Sequence, residues 1–106
     1  MKPDALRGHM DALILATVEG GPLHGYAIAE RLAERSGGAL DVATGTLYPA
    51  LRRLEKAGWL DSDWSTVGGR KRRTYRLTAA GRKALKAERA AWAELADVVA
   101  AVLGKP

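Results

Sequence analysis

From Thr78 to Leu103 the chain runs 26 residues without a proline and is rich in alanine. Such a run forms one continuous helix of ~39 Å, with Thr78 placed to cap its first turn. In a chain of 106 residues, which has room for one core and no second domain, that rod is too long to be covered by the rest. Its apolar residues ask for a partner: Leu85, Trp92 and Val99 fall seven apart, Leu95 and Val102 lie between them, and Ala96 and Leu103 lie beside them. This is a heptad-like seam. Part of it is expected to pack on the first helix through Leu6, Met10 and Leu13, and the remainder to meet a second copy in a twofold homodimer.

The preceding residues divide into short elements. Leu6, Met10, Leu13, Ile14 and Val18 recur at helical spacing from about Asp4 to Glu19, and Gly20-Gly21-Pro22 ends the run. The segment from His24 to Ser36 repeats the pattern with Tyr26, Ile28 and Leu32, and Gly37-Gly38 stops it. A third helix starts at Thr44 or Thr46 as N-cap, has Pro49 near its first turn and ends at Gly58. Trp59 to Ser65 and Arg73 to Leu77 then read as two strands joined by a turn over Thr66 to Gly69. The order predicts a mostly α fold with a small β-hairpin: a winged helix-turn-helix over residues 1–77 and a C-terminal dimerisation helix, not an independent domain, over residues 78–106.

Charge points to the partner. The chain carries 17 Lys and Arg against 12 Asp and Glu, a net +5. Residues 70–76, Arg-Lys-Arg-Arg-Thr-Tyr-Arg, hold five of those bases and no acid, leaving 12 against 12 elsewhere. A concentrated cationic strip suits a polyanion, because neutralising phosphates releases condensed counterions; the competing reading is a solvated charge run on an exposed hairpin. On a helical wheel the third helix gathers Leu47, Ala50, Leu51, Leu54 and Ala57 on one side. Gly45, Pro49, Arg52 and Lys56 lie opposite, flanked by Tyr48 and Arg53. Bulk-free first turns can approach base edges, Arg52 can fork a guanine or clamp a phosphate, and Tyr48 can donate to phosphate. A tip of Gly68-Gly69-Arg70-Lys71 followed by Arg72 and Arg73 places cations where a wing meets the backbone or minor groove. The expected contacts to double-stranded DNA are therefore Thr44, Tyr48, Pro49, Arg52, Arg53 and Lys56 of the helix, with Arg70, Lys71, Arg72 and Arg73 of the hairpin. Trp64 and Tyr75 are assigned to packing, as aromatics on a small sheet usually are.

Other functions find little support. The chain has no Cys, which removes disulfides, thiolate metal sites and a cysteine nucleophile, and no metal or cofactor is expected. His9 and His24 stand without companions at ligand spacing and read as turn or surface residues. The carboxylates are scattered among Lys and Arg, so no enzymatic site emerges. With no run of ~20 apolar residues and no signal-peptide layout at the N-terminus, no membrane partner is expected and the cytoplasm is the expected location.

Three segments together resemble a known family. They are His24-Gly25-Tyr26-Ala27-Ile28, the run from Gly45-Thr46-Leu47-Tyr48-Pro49 through Arg53-Leu54-Glu55 to Gly58-Trp59-Leu60, and Gly69-Arg70 through Tyr75-Arg76-Leu77-Thr78 with Gly81. In this order, over about residues 10–90, they resemble the PadR family of transcriptional regulators. The resemblance implies a winged helix-turn-helix that dimerises mainly through its C-terminal helix and represses nearby genes until a small ligand or stress signal relieves it. By matching position it implies Tyr26, Thr46, Tyr48 and Arg70 to Arg73 as DNA contacts. Two departures stand out: Thr74 precedes Tyr75 where many relatives have paired aromatics, and the chain lacks the extra C-terminal helical region of longer members. Two readings of Trp92 stand side by side. It is a plain dimer-core tryptophan or, as the resemblance to short members implies, a stacking surface for a planar or aromatic effector between subunits.

Overall fold

The computed structural model describes residues 8–104. Along the chain it forms α1 (Met10–Thr17), β1 (Leu23–His24), α2 (Gly25–Arg35), α3 (Thr44–Lys56), β2 (Leu60–Val67), β3 (Arg70–Leu77) and α4 (Ala79–Leu103). The winged-helix order anticipated from the sequence is present, with a three-stranded antiparallel sheet ordered β1-β3-β2 instead of a hairpin alone. The extra strand pairs Leu23 with Tyr75 and His24 with Thr74. Two residues are too few for a period-two signal, so nothing local announces it.

Each helix follows from its ends. α1 stops at Thr17, two residues short of the expected Glu19, with Val18 as its C-cap; the expected start, with Leu6, lies outside the described residues. α2 is capped by His24, whose Nδ1 accepts from the Ala27 N–H at 3.2 Å. Gly38 beyond its end has φ +88° and donates to the Ala33 carbonyl, a left-handed stop that glycine takes without Cβ strain. α3 departs from expectation: its N-cap is Ala43, which has no side-chain cap. Thr44 and Thr46 are therefore helical residues, and Pro49 sits in the helix interior instead of the first turn.

The hairpin is longer and tighter than the pattern predicts. Its ladder runs from Leu60 opposite Leu77 to Val67 opposite Arg70, leaving Gly68 and Gly69 as a two-residue tip with φ of +58° and +78°. Consecutive glycines in that region form the turn whose twist matches paired strands, so pairing continues to the tip and Arg70 to Arg72 belong to β3.

The core joins Ile14 and Leu15 of α1 with its C-cap Val18, Ile28 and Leu32 of α2, Leu47, Leu51 and Leu54 of α3, and Leu60, Tyr75 and Leu77 of the sheet. Burial of each aliphatic side chain contributes roughly 1.5–3 kcal/mol. Tyr75 packs as expected, but Ala57, placed on the buried side by the wheel, is exposed at the C-cap of α3. Leu85 is 2% exposed and belongs to this core, which corrects its assignment to the dimer seam: the first two turns of α4 lie over the sheet and α1, and the stripe is free only beyond them. From Lys86 to Leu103 every residue except Ala100 is exposed. The molecule accordingly measures 53 × 28 × 21 Å.

The root of α4 is held closely. The Thr78 hydroxyl accepts from the Gly81 N–H at 2.9 Å and donates to the Gly58 carbonyl at 2.6 Å. A Cβ on Gly81 would stand 2.1 Å from the Trp59 carbonyl oxygen, so only glycine permits this approach. At the far side Arg89 grips Glu19 through two hydrogen bonds of 2.7 and 2.8 Å.

Candidate nucleic-acid interface

Between α3 and the β2–β3 hairpin the surface opens into a groove lined by Tyr26 and Gly25 of α2, Tyr48, Arg52, Glu55 and Lys56 of α3, and Trp64, Arg70, Lys71, Arg72 and Arg73 of the hairpin, with His24 and Tyr75 at its floor. Six cations thus face one acid. That acid, Glu55, is engaged: it takes hydrogen bonds from the Ser62 hydroxyl and, at 3.2 Å, from Arg73. Arg73 also donates to the Ser62 hydroxyl at 2.8 Å and lies over the Trp64 ring at 5.4 Å. These contacts brace the hairpin against α3 and set the width of the groove.

The sequence-expected contacts fall into two groups by what they already touch. Among the described residues Arg52, Lys56, Arg70 and Lys71 form no ion pair, and all four are exposed. Arg53 is tied to Asp11 of α1, Arg72 lies 3.1 Å from Nε2 of His24, and Arg73 is held as above. The fifth base of the run, Arg76, is spent elsewhere. Strand alternation turns it to the far face of the hairpin, where Asp63 at 2.7 Å and Asp61 at 3.3 Å raise its pKa further. The cationic run read as one strip is therefore divided by the pleat, and long-range partners, invisible in residue spacing, decide which charges stay available.

The aromatic residues take positions the sequence only partly indicates. Tyr48 lays its ring on α2, where a Cβ on Gly25 would come within 2.9 Å of it, and Tyr26 stands 64% exposed at the same end. Burial raises the pKa of the Tyr75 phenol, keeping it neutral at the groove floor. Trp64 corrects its packing assignment: it is 65% exposed. Its side is the core side of the sheet, but eight-residue strands reach ~26 Å, and the hairpin outruns the core before Trp64. The remaining expected contacts, Thr44, Thr46 and Pro49, are exposed on the outer side of α3.

A helix-turn-helix whose third helix and β-hairpin enclose a cation-lined groove is the arrangement with which a winged-helix protein meets duplex DNA. The model of the "Transcriptional regulator PadR-like family" matches residues 14–87. The chain is 46% identical over 77 residues, 73% of its own length and 69% of the relative's, to "Transcriptional regulator Rv3488" of Mycobacterium tuberculosis. Among solved structures, a "padr family transcriptional regulator" from Eggerthella lenta superposes with a TM-score of 0.83 at 34% identity, covering 97% of this chain and 88% of that one. A transcriptional regulator from Clostridium thermocellum also gives 0.83, at 30% identity over 91% and 94%. The protein is a DNA-binding winged-helix regulator of transcription. It belongs to the PadR-like family.

Proposed function

We propose that the chain is a homodimeric, sequence-specific repressor that binds a pseudo-palindromic operator and leaves it when a small planar or aromatic effector binds between its subunits. The observation that carries this reading is the coexistence of a groove in which Arg52, Lys56, Arg70 and Lys71 form no ion pair among the described residues with a helix whose outer half is apolar and exposed. Trp92 is 57% exposed, Val102 and Leu103 each 79%, and Leu95, Val98 and Val99 are exposed beside them. Burying such side chains contributes roughly 1.5–3 kcal/mol each. Doubled by symmetry, this is of the size needed to offset the ~4–15 kcal/mol cost of association. Trp92, Leu95, Ala96, Val99, Val102 and Leu103 form the seam in this reading, and residues 78–106 extend the DNA-binding unit instead of folding alone. The indole of Trp92, packed edge-on against His9 at 5.2 Å, offers a flat face to an effector.

In the same reading Arg52 reads bases from α3, Arg70 and Lys71 hold phosphates from the wing, and the two α3 helices address half-sites about 10 bp apart or a multiple of that. Selection on a random duplex library at ~150 mM salt is the test, since nonspecific phosphate contacts are weakened there. An inverted repeat should be enriched. Arg52→Ala should relax its sequence, whereas Arg70→Ala with Lys71→Ala should weaken all DNA alike and flatten the salt dependence. Salt-sensitive binding with no enriched sequence would replace this reading with a nonspecific architectural role.

A further inference from the structure

Two exposed residues on the outer face of α3, Gly45 and Pro49, have low intrinsic helix propensity. Gly45 is exposed, has none of the positive φ that would require glycine, and would bring a Cβ within 4 Å of nothing. Alanine would fit there and favour the helix. Pro49, four residues on, lies past the first turn of a helix that begins at Thr44, where proline costs a hydrogen bond. The missing bond belongs to Gly45: in an α-helix its carbonyl accepts from the N–H of residue 49, and proline has none. Nor does a side chain substitute. The side-chain hydrogen bonds to carbonyls among the described residues end on Ile14, Ala16, Ala33, Arg72 and Gly58, none on Gly45. The result is a carbonyl without its i+4 donor, at an exposed residue with no side chain, on the face that Arg52 and Lys56 share.

We propose that the Gly45 carbonyl reads one base pair of each half-site, accepting a hydrogen bond from an exocyclic amine in the major groove, adenine N6 or cytosine N4. A carbonyl is an acceptor only. In the major groove adenine and cytosine present amine donors, whereas guanine and thymine present acceptors in the corresponding places, so the carbonyl selects the first pair and repels the second. Glycine supplies the closeness, since a side chain at position 45 would hold the backbone off the base edges. Pro49 supplies the free lone pair. This rests on the DNA-reading role proposed for α3, and it assigns specificity to main chain that no side-chain inventory contains.

The experiment uses the full chain and the operator enriched by the selection above. Pro49→Ala restores the N–H and returns the carbonyl to the helix. Its thermal midpoint should rise, and its preference at one adenine or cytosine per half-site, taken relative to its own affinity for random duplex, should fall about tenfold, the scale of one base-edge hydrogen bond. Deleting that amine from the operator, with purine in place of adenine or 2-pyrimidinone in place of cytosine, should weaken the parent by the same factor and leave Pro49→Ala almost unaffected. Gly45→Ala should also be more stable, yet bind the operator at least tenfold more weakly. An unchanged base preference in Pro49→Ala overturns the inference while the repressor reading stands. A change confined to a thymine also overturns it, because that places the proline ring on the 5-methyl group. A parent protein with no sequence preference removes both.

Discussion

Gly81 lies in the first turn of α4. Glycine early in a helix looks like a propensity defect, costing ~1 kcal/mol relative to alanine. Its tertiary position reverses that sign, since a methyl would strike the Trp59 carbonyl and the Leu77 side chain. Gly81→Ala should therefore lose about 1–3 kcal/mol by overpacking, measured as a shift in denaturant midpoint at constant slope; an unchanged or higher midpoint would mean the α4 root is looser than described. At Trp64 the residue type argues for packing and the strand parity agrees, yet the side chain is exposed because the core ends before it does. Parity reports which face a residue takes, not whether anything covers that face.

Among the elements, α1, α2, α3 and the long helix were legible because each carries apolar residues at helical period and a glycine or cap at its end. The errors cluster where pairing or capping depends on distant chain. β1 exists only because β3 offers it an edge, and α3 begins without a side-chain cap although two threonines stand ready. The seat of α4 on the body gives a test with a definite pH sense. Glu19 is held below its ordinary pKa chiefly by the hydrogen bonds from Arg89, so the pair stabilises the fold above the ordinary glutamate value of ~4.3 and its contribution is lost as pH falls through the lowered value. Arg89→Ala should cost a small amount of stability at neutral pH, less at high salt. The gap between variant and parent should close in acid, followed by thermal melts across the pH range. A gap that persists below pH ~3 would trace the loss to packing of the arginine stem instead.

At the scale of the whole molecule the decisive feature is the exposed half of α4. Val99 stands on that arm, 44% exposed and outside the core cluster, so Val99→Asp should fold normally and remain a single chain of 11.3 kDa in sedimentation where the parent sediments as two. Losing the second half-site should then lower operator affinity by about 10²–10⁴, the usual gain from linking two sites. A parent that sediments as one chain, or a variant that still pairs, would move the interface away from this stripe.

Residue order alone reveals the four helices and the hairpin, the class of fold, the apolar stripe of the last helix and the segment that carries the net charge. All of these are local: they depend on period, caps and composition within a few turns of chain. The folded chain adds that Leu85 belongs to the core while Trp92 does not, that Arg73 and Arg53 are held by acids on other elements, that Arg76 is turned to the opposite face, and that Trp64 stands in the groove. Those outcomes depend on contacts between residues far apart in the chain, 42 positions for Arg53 and Asp11, and on where a small core runs out beneath longer elements. The spacing of residues along a chain records neither.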